Sequence, residues 1–147
     1  MAEPAANCLF CKIAARSVSA PVVFEDETSL AFLDHRPVFP GHTLLIPKQH
    51  CETLADRPAS LIQPFFAAAQ LLSRAIESAL AADGTFVAIN NRVSQSVPHL
   101  HVHIVPRRKK DGLRGFFWPR QPYRTEQEAE NLRQTIADTV LRLRAGA

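Results

Sequence analysis

Three of the six histidines in this 147-residue chain fall between His99 and His103, spaced by single apolar residues in the run "PHLHVHIVP". In an extended strand, residues two apart share a face, so His99, His101 and His103 are predicted to project to one side. Leu100, Val102 and Ile104 then enter the core from the other. A solvated face carrying histidines by accident would not need such strict alternation. Two chemistries suit the rail. Neutral imidazole is the commonest protein ligand for zinc. It is also a nucleophile that can attack an electrophile while a neighbouring imidazole handles the proton.

The surroundings favour a phosphorus electrophile. Asn90, Asn91, Gln95 and Ser96 precede the histidines on a short polar loop, with amide and hydroxyl groups suited to phosphate oxygens. From Arg107 to Arg124 the chain carries seven basic residues against Asp111 alone, although the whole chain is only +3. The positive charge is therefore local, begins directly after the histidines, and attracts phosphate-bearing ligands. Phe116, Phe117, Trp118 and Tyr123 are interleaved with these charges. Stacking on single-stranded nucleic acid is one reading; packing on the core or across a dimer interface is the one favoured, so no nucleic-acid partner is expected.

Short strands are predicted at Val22–Glu25 and Leu30–Leu33, in "HTLLIP" after the Pro40-Gly41 turn, in "TFVAIN" and in "HLHVHIVP". "CLFCKIAAR" reads as a turn or short helix. A long helix is predicted from Ser60 to Ala81, with a Ser60/Gln63 capping box and a stop at Asp83-Gly84. A second box at Thr125/Glu128 opens a helix to about Arg144. Several strands are joined too closely for helical crossovers, which predicts an antiparallel sheet and an α+β fold.

The length suits one domain over 1–147, with a core at 8–108 and a C-terminal basic and aromatic segment and helix at 109–147. Apolar residues at 46% and charged residues at 21% are ordinary for a globular chain. No run approaches the roughly 20 apolar residues needed to cross a bilayer, so no membrane association is expected. Neither a signal-peptide pattern nor an even cysteine count is present, and a cytoplasmic protein is expected.

"HLHVHIV" is similar to the signature of the histidine-triad (HIT) superfamily of nucleotide hydrolases and transferases, in its bacterial Hint-like branch. "VVFEDETSLAFLD", "PGHTLLIPKQH", "AINN" and "SQSVPHLHVHIVPR" resemble that family in order and spacing, over roughly residues 8 to 108. The resemblance implies a five-stranded antiparallel sheet with one long helix packed on it and a C-terminal helix. It implies an enzyme that cleaves a nucleoside phosphoanhydride or phosphoramidate, such as a dinucleoside polyphosphate or a nucleoside phosphoramidate. His101 matches the nucleophile that forms a nucleotidyl-histidine, His103 the histidine contacting phosphoryl and bridging atoms, and His42 a further active-site histidine. Asp34 matches the residue that holds the ribose hydroxyls. Asn90, Gln95 and Ser96 match phosphate and leaving-group contacts. A purine nucleotide containing AMP is the implied substrate and a homodimer the implied assembly. The alternative is a purine-nucleotide-binding regulatory protein without turnover. The loop before the triad is about two residues shorter than usual in the family; Ser94 replaces a glycine and Pro98 stiffens the approach.

Cys8 and Cys11 have the spacing of a zinc knuckle but supply only half of a four-ligand set. His50 and His99 could complete it, as similar positions do in bacterial relatives, giving a structural zinc site and no organic cofactor. Two reduced cysteines packed in a turn are the alternative. A thioredoxin-like redox pair is disfavoured, because no βαβ pattern surrounds the cysteines.

Overall fold

The computed structural model describes residues 7–114 and 120–146 and divides into two compact units, Met1–Asp111 and Gly112–Ala147. The first unit contains helix α1 (Leu9–Ala14) and strands β1 (Val22–Glu25), β2 (Ser29–Leu33) and β3 (Thr43–Pro47). Helix α2 (Ile62–Leu80) and strands β4 (Gly84–Ala88) and β5 (Val102–Arg107) follow. The five strands form one sheet in the order β1-β2-β3-β5-β4, with every neighbouring pair antiparallel. The α+β expectation and its five-stranded sheet hold.

Both faces of the sheet are covered, and the sequence alternates accordingly. On one face Ala31, Leu45, Leu100, Val102 and Ile104 pack against Phe65, Ala68, Ala69, Leu72 and Ile76 of α2. On the other, Leu30, Phe32, Leu44 and Ile46 meet Phe10, Cys11 and Ile13 of α1. Strands β2 and β3 therefore read as nearly continuous apolar runs, since neither face meets water.

Three local expectations need correction. Strand β5 begins at Val102, so His99 and His101 lie on the extended approach to it rather than inside the ladder. The backbone there turns to other partners: Leu100 N–H donates to the Cys51 carbonyl. The Ser60/Gln63 capping box does not form; a 3-10 turn at Ala59–Leu61 leads into α2, whose N-cap Leu61 makes no side-chain bond. Pro64 sits in that first turn, where its missing N–H costs nothing. Finally, α2 stops at Ala81, which adopts the left-handed conformation at φ 49°, while Gly84 opens β4. Arg108 donates to the carbonyls of Leu80 and Ala81, satisfying groups that the helix end leaves open.

In the second unit, helix α3 spans Glu126–Ala145, and Thr125 caps it by accepting from Glu128 N–H at 3.0 Å. Phe116, Phe117 and Trp118, which the sequence reading sent to a core or dimer interface, lie outside the described residues.

Candidate active site and metal-binding cluster

The central pairing of the sheet brings the chemistry together. Register sets His103 between Leu44 of β3 and Ala88 of β4. His42 lies two residues before Leu44 and so shares its face. The turn that delivers it needs Gly41, whose φ of +98° is a left-handed value that other residues adopt at a cost. The turn is closed by His42 N–H donating to the Phe39 carbonyl at 3.0 Å, and Asp34 N–H donates to the His42 carbonyl at 2.9 Å.

The hydrogen bonds determine which nitrogen of each imidazole carries its proton. Val38 N–H donates to His42 Nδ1 at 3.1 Å, so that nitrogen holds a lone pair. His42 Nε2 must then carry the proton and donate to His103 Nδ1, 3.0 Å away. His103 is left with its proton on Nε2, ready to donate outward. His101 Nδ1 lies 2.7 Å from the His99 carbonyl, which can only accept, so this nitrogen is the protonated one. The Nε2 of His101 keeps its lone pair. One imidazole thus presents a lone pair and its neighbour a proton, with ring centroids 4.9 Å apart.

Burial holds His103 and His42 below the ordinary imidazole value. His103 is pushed down to about 4 by desolvation first, then by the neighbouring His101 and His42. His42 is lowered as well, by burial, against the opposing pull of Asp34. The Asp34 carboxylate stands 3.6 Å from His42 Nδ1 and also accepts from Arg36 N–H. Asp34, His42 and His103 lie close enough to share a cation. Both His42 nitrogens and His103 Nδ1 are already engaged in the chain from Val38, so the arrangement is a hydrogen-bonded relay rather than a chelate.

A cavity of about 320 Å³ opens over the relay, lined by His101, His103, Asp34 and Ser96 and by an apolar wall that includes Phe10 and Phe32. Phe10 meets the His101 ring edge-on at a centroid distance of 5.2 Å, fixing its plane. His101 is only 4% exposed, yet it lines this cavity instead of facing the hydrophobic interior. An apolar slot with one carboxylate and convergent imidazoles can take a flat aromatic ring, a polyol and a phosphate.

Not every expected residue reaches the cavity. Gln95 is spent on its own loop: it accepts from Arg92 N–H at 2.7 Å and donates to the Glu52 carbonyl at 2.6 Å. Asn90 lies half-buried just beyond β4 and is not part of the lining. His35, which the sequence reading passed over, borders the cavity beside Asp34. Its adjacency to Asp34 was the one available signal.

Cys8, Cys11, His50 and His99 converge at the N-terminus of α1, their ligand atoms all within 4.8 Å of one another. Cys8 is the N-cap of α1, and the i, i+3 spacing puts Cys11 on the same side. Cys8 Sγ is 3.3 Å and Cys11 Sγ 3.5 Å from His99 Nδ1, and Cys11 Sγ is 3.3 Å from His50 Nδ1. The two Nδ1 atoms are 3.2 Å apart. Donors at 2.0–2.3 Å around a tetrahedral zinc would sit about 3.3–3.8 Å from each other. His99 Nε2 faces the Pro47 carbonyl at 2.8 Å and must donate to it, so the Nδ1 turned to the cluster carries a lone pair. That lone pair faces both sulfurs and His50 Nδ1, a placement in which a cation would find several donors at once. The donor set, its spacing and the outer hydrogen bond all fit a structural zinc.

An antiparallel five-stranded sheet that carries alternate histidines over an apolar cleft defines a histidine-triad protein. Residues 15–110 match the HIT domain model, and the chain belongs to the HIT family of nucleotide-binding proteins and hydrolases. It is similar to the crystal structure of a HIT family member from Bacillus subtilis, with 38% identity and a TM-score of 0.81, covering 90% of this chain and 96% of that one. A Zn-bound histidine triad family protein from Mycobacterium smegmatis is 39% identical with a TM-score of 0.70, covering 90% of this chain and 95% of that one. The adenylylsulfatase HINT3 of Arabidopsis thaliana is 36% identical over 73% of this chain and 55% of its own length. Among the described residues, no helix is long and apolar enough to cross a membrane.

Proposed function

We propose that the protein cleaves a nucleoside phosphoanhydride or phosphoramidate at its α-phosphorus, with transfer first to His101 and then to water. The observation that carries this reading is the tautomer set: Nδ1–H of His101 donates to a backbone carbonyl 2.7 Å away, leaving Nε2 as an unprotonated nucleophile at the cavity.

The base and ribose enter the cleft, with the base against its apolar wall and the ribose hydroxyls on Asp34. The Nε2 lone pair of His101 attacks phosphorus in line, forming a P–N bond as the bond to the leaving group breaks. His103 Nε2–H supports the departing atom or a phosphoryl oxygen, and His42 holds His103 in that tautomer. Water then attacks the nucleotidyl-histidine; the P–N bond breaks, the nucleoside monophosphate leaves and His101 is regenerated. Positioning and neutralisation of charge do most of the work in such transfers. The substrate class is an AMP-containing purine nucleotide, in keeping with the adenylylsulfatase relative.

Cys8, Cys11, His50 and His99 would hold a zinc ion that supplies structure only, tying α1 to the segment that carries His101. The His99 carbonyl is the acceptor for His101 Nδ1–H, so a rigid His99 keeps the nucleophile in its tautomer.

The test is to mix the protein with an adenylated substrate, quench on the millisecond scale and look for an adenylyl group on His101 by mass spectrometry. His101→Ala retaining full turnover would overturn the proposal. The second reading, a nucleotide-binding regulator without turnover, is favoured by Gln95 being held in its loop and away from the leaving-group side. Tight binding of adenosine monophosphate with no cleavage of any substrate in a panel would select it.

A further inference from the structure

The three cysteines are all reduced and buried, but they do not share one environment. Cys51 packs on the α2 side of the sheet, in the cluster of Phe65 and Leu100. Cys8 and Cys11 pack on the α1 side, in the cluster of Phe10 and Phe32. The odd cysteine is thus set apart from the pair. Within the pair the sulfurs are close. Cys8 is the extended N-cap of α1, and its side chain folds back over the first turn, where Sγ accepts from Cys11 N–H at 3.4 Å. The sulfurs lie 3.3 and 3.5 Å from the same His99 Nδ1, and within 4.8 Å of each other. A disulfide needs its sulfurs about 2 Å apart, a difference that rotation of the two side chains covers with α1 in place.

A small reagent can reach one sulfur of the two. A cavity of about 370 Å³ is lined by Cys8, His50 and Glu52, and it shares Leu9, Ser96 and Val97 with the cleft over His101. Cys11 does not border it. We propose that Cys8 and Cys11 form a redox modification site, oxidised by hydrogen peroxide to a disulfide that dismantles the four-residue cluster with His50 and His99. Cys8 reacts first, because the cavity reaches it. Its sulfur attacks one peroxide oxygen; an S–O bond forms as the O–O bond breaks, and the other oxygen leaves as water with the thiol proton. Cys11 Sγ then attacks the Cys8 sulfur. The S–S bond forms, the S–O bond breaks, and the hydroxyl leaves as a second water with the Cys11 proton. The two sulfurs together lose two electrons and the peroxide gains them.

A disulfide offers neither a thiolate nor a thiol proton, so His99 Nδ1 loses both of its sulfur partners. His50 and His99 are only half of a four-donor set, and a zinc ion held there would be released. The effect extends to the cleft, because the His99 carbonyl is the acceptor for His101 Nδ1–H and a loosened His99 holds that bond less firmly. The chemistry needs the sulfur geometry and the cavity, not the βαβ surroundings of a thioredoxin-like pair. The disulfide stands whether or not the protein turns over a nucleotide; the loss of metal rests on the zinc reading above.

Thiol mapping of the full-length chain tests the proposal. The protein is treated with increasing hydrogen peroxide, its remaining thiols are capped with iodoacetamide, and it is digested with trypsin. Cleavage after Lys12 leaves Cys8 and Cys11 on one peptide, separate from Cys51. The expected product is that peptide uncapped and two hydrogens lighter, with Cys51 capped. Zinc should appear in a chromophoric chelator in step with the disulfide, and a dithiol reductant should reverse both changes. The His101 Nδ1–H signal in 1H–15N spectra should broaden in the oxidised form. Cys51→Ser should behave as the native chain does, which keeps the test independent of whether Cys8→Ser folds. A bond from either residue to Cys51, sulfinic acid at Cys8 with no disulfide, zinc retained by the disulfide form, or an unchanged His101 signal overturns the proposal. A chain that forms the disulfide but never held zinc refutes the metal reading and supports the redox pair.

Discussion

Replacing His42 by alanine tests the relay at its hinge. Two hydrogen bonds vanish together: Val38 N–H loses its acceptor at 3.1 Å, and His103 Nδ1 loses its donor at 3.0 Å. An orphaned partly buried amide costs about 1–3 kcal/mol, and about 2 kcal/mol is reasonable where water can enter the space the imidazole leaves. For a chain of this size that lowers the thermal midpoint by roughly 6 °C. The second effect is on His103. With His42 gone, one of the three influences holding it at about 4 is removed and water reaches the ring, so its pKa rises. Its proton is also free to move between the two ring nitrogens, and the outward Nε2–H donor is lost for part of the time. Long-range 1H–15N correlation spectra read both quantities. In the native protein His103 should carry its proton on Nε2 and His42 likewise; in the variant His103 should titrate closer to neutrality. His42→Gln, able to accept from Val38 and donate to His103, should recover part of the stability. Finding His42 protonated on Nδ1 in the native protein, or no change in His103 on removing His42, would refute the tautomer assignment and with it the roles built on it.

The depressed pKa of His103 also carries a sign for stability. Between the unfolded value of 6.5 and the folded value of about 4, the unfolded chain takes up a proton that the folded chain refuses. Stability is complete above about pH 6.5 and falls as pH drops to about 4, where the loss levels off. The full shift corresponds to about 3 kcal/mol, reduced to about half by solvent screening at a partly exposed ring. Urea unfolding of the native chain and His103→Gln at a series of pH values should differ in slope over that window; parallel curves would contradict it. Cys8→Ser should abolish stoichiometric zinc by elemental analysis and lower the unfolding midpoint, whereas an unaltered metal content would place zinc elsewhere. Gly41→Ala should destabilise by about 1–2 kcal/mol, because a side chain at φ +98° is strained and its Cβ would meet Leu80. An unchanged midpoint in thermal unfolding would show that the turn before His42 tolerates other conformations.

The chain sequence already contains the alternation that separates imidazoles from core residues. Leu100, Val102 and Ile104 pack on α2, while the histidines face the α1 side, even though two of the three precede the strand proper. Extended backbone imposes a period of two with or without a ladder partner, and so the pattern survived the misplaced strand start. Helix ends were less legible. Ser60 and Gln63 have the composition of a capping box, but a 3-10 turn occupies the position. Arg108, from a distant strand end, caps α2 instead of a glycine. Gln95 looked like a leaving-group contact by position, and its loop consumed both ends of its amide.

Residue types and their spacing determined, without any coordinates, the sheet-forming runs, the histidine rail and the four candidates for a metal cluster. These are properties of local periodicity and donor chemistry, which a chain carries wherever it folds. Only the tertiary structure decided which nitrogen of each imidazole holds its proton, because the deciding partners are backbone groups of Val38, Pro47 and His99. Two of these three come from segments more than 50 residues away from the triad, and main-chain groups are the same in every residue. Sequence identity can name an imidazole; a hydrogen bond to a particular carbonyl or amide decides which of its nitrogens presents a proton and which a lone pair.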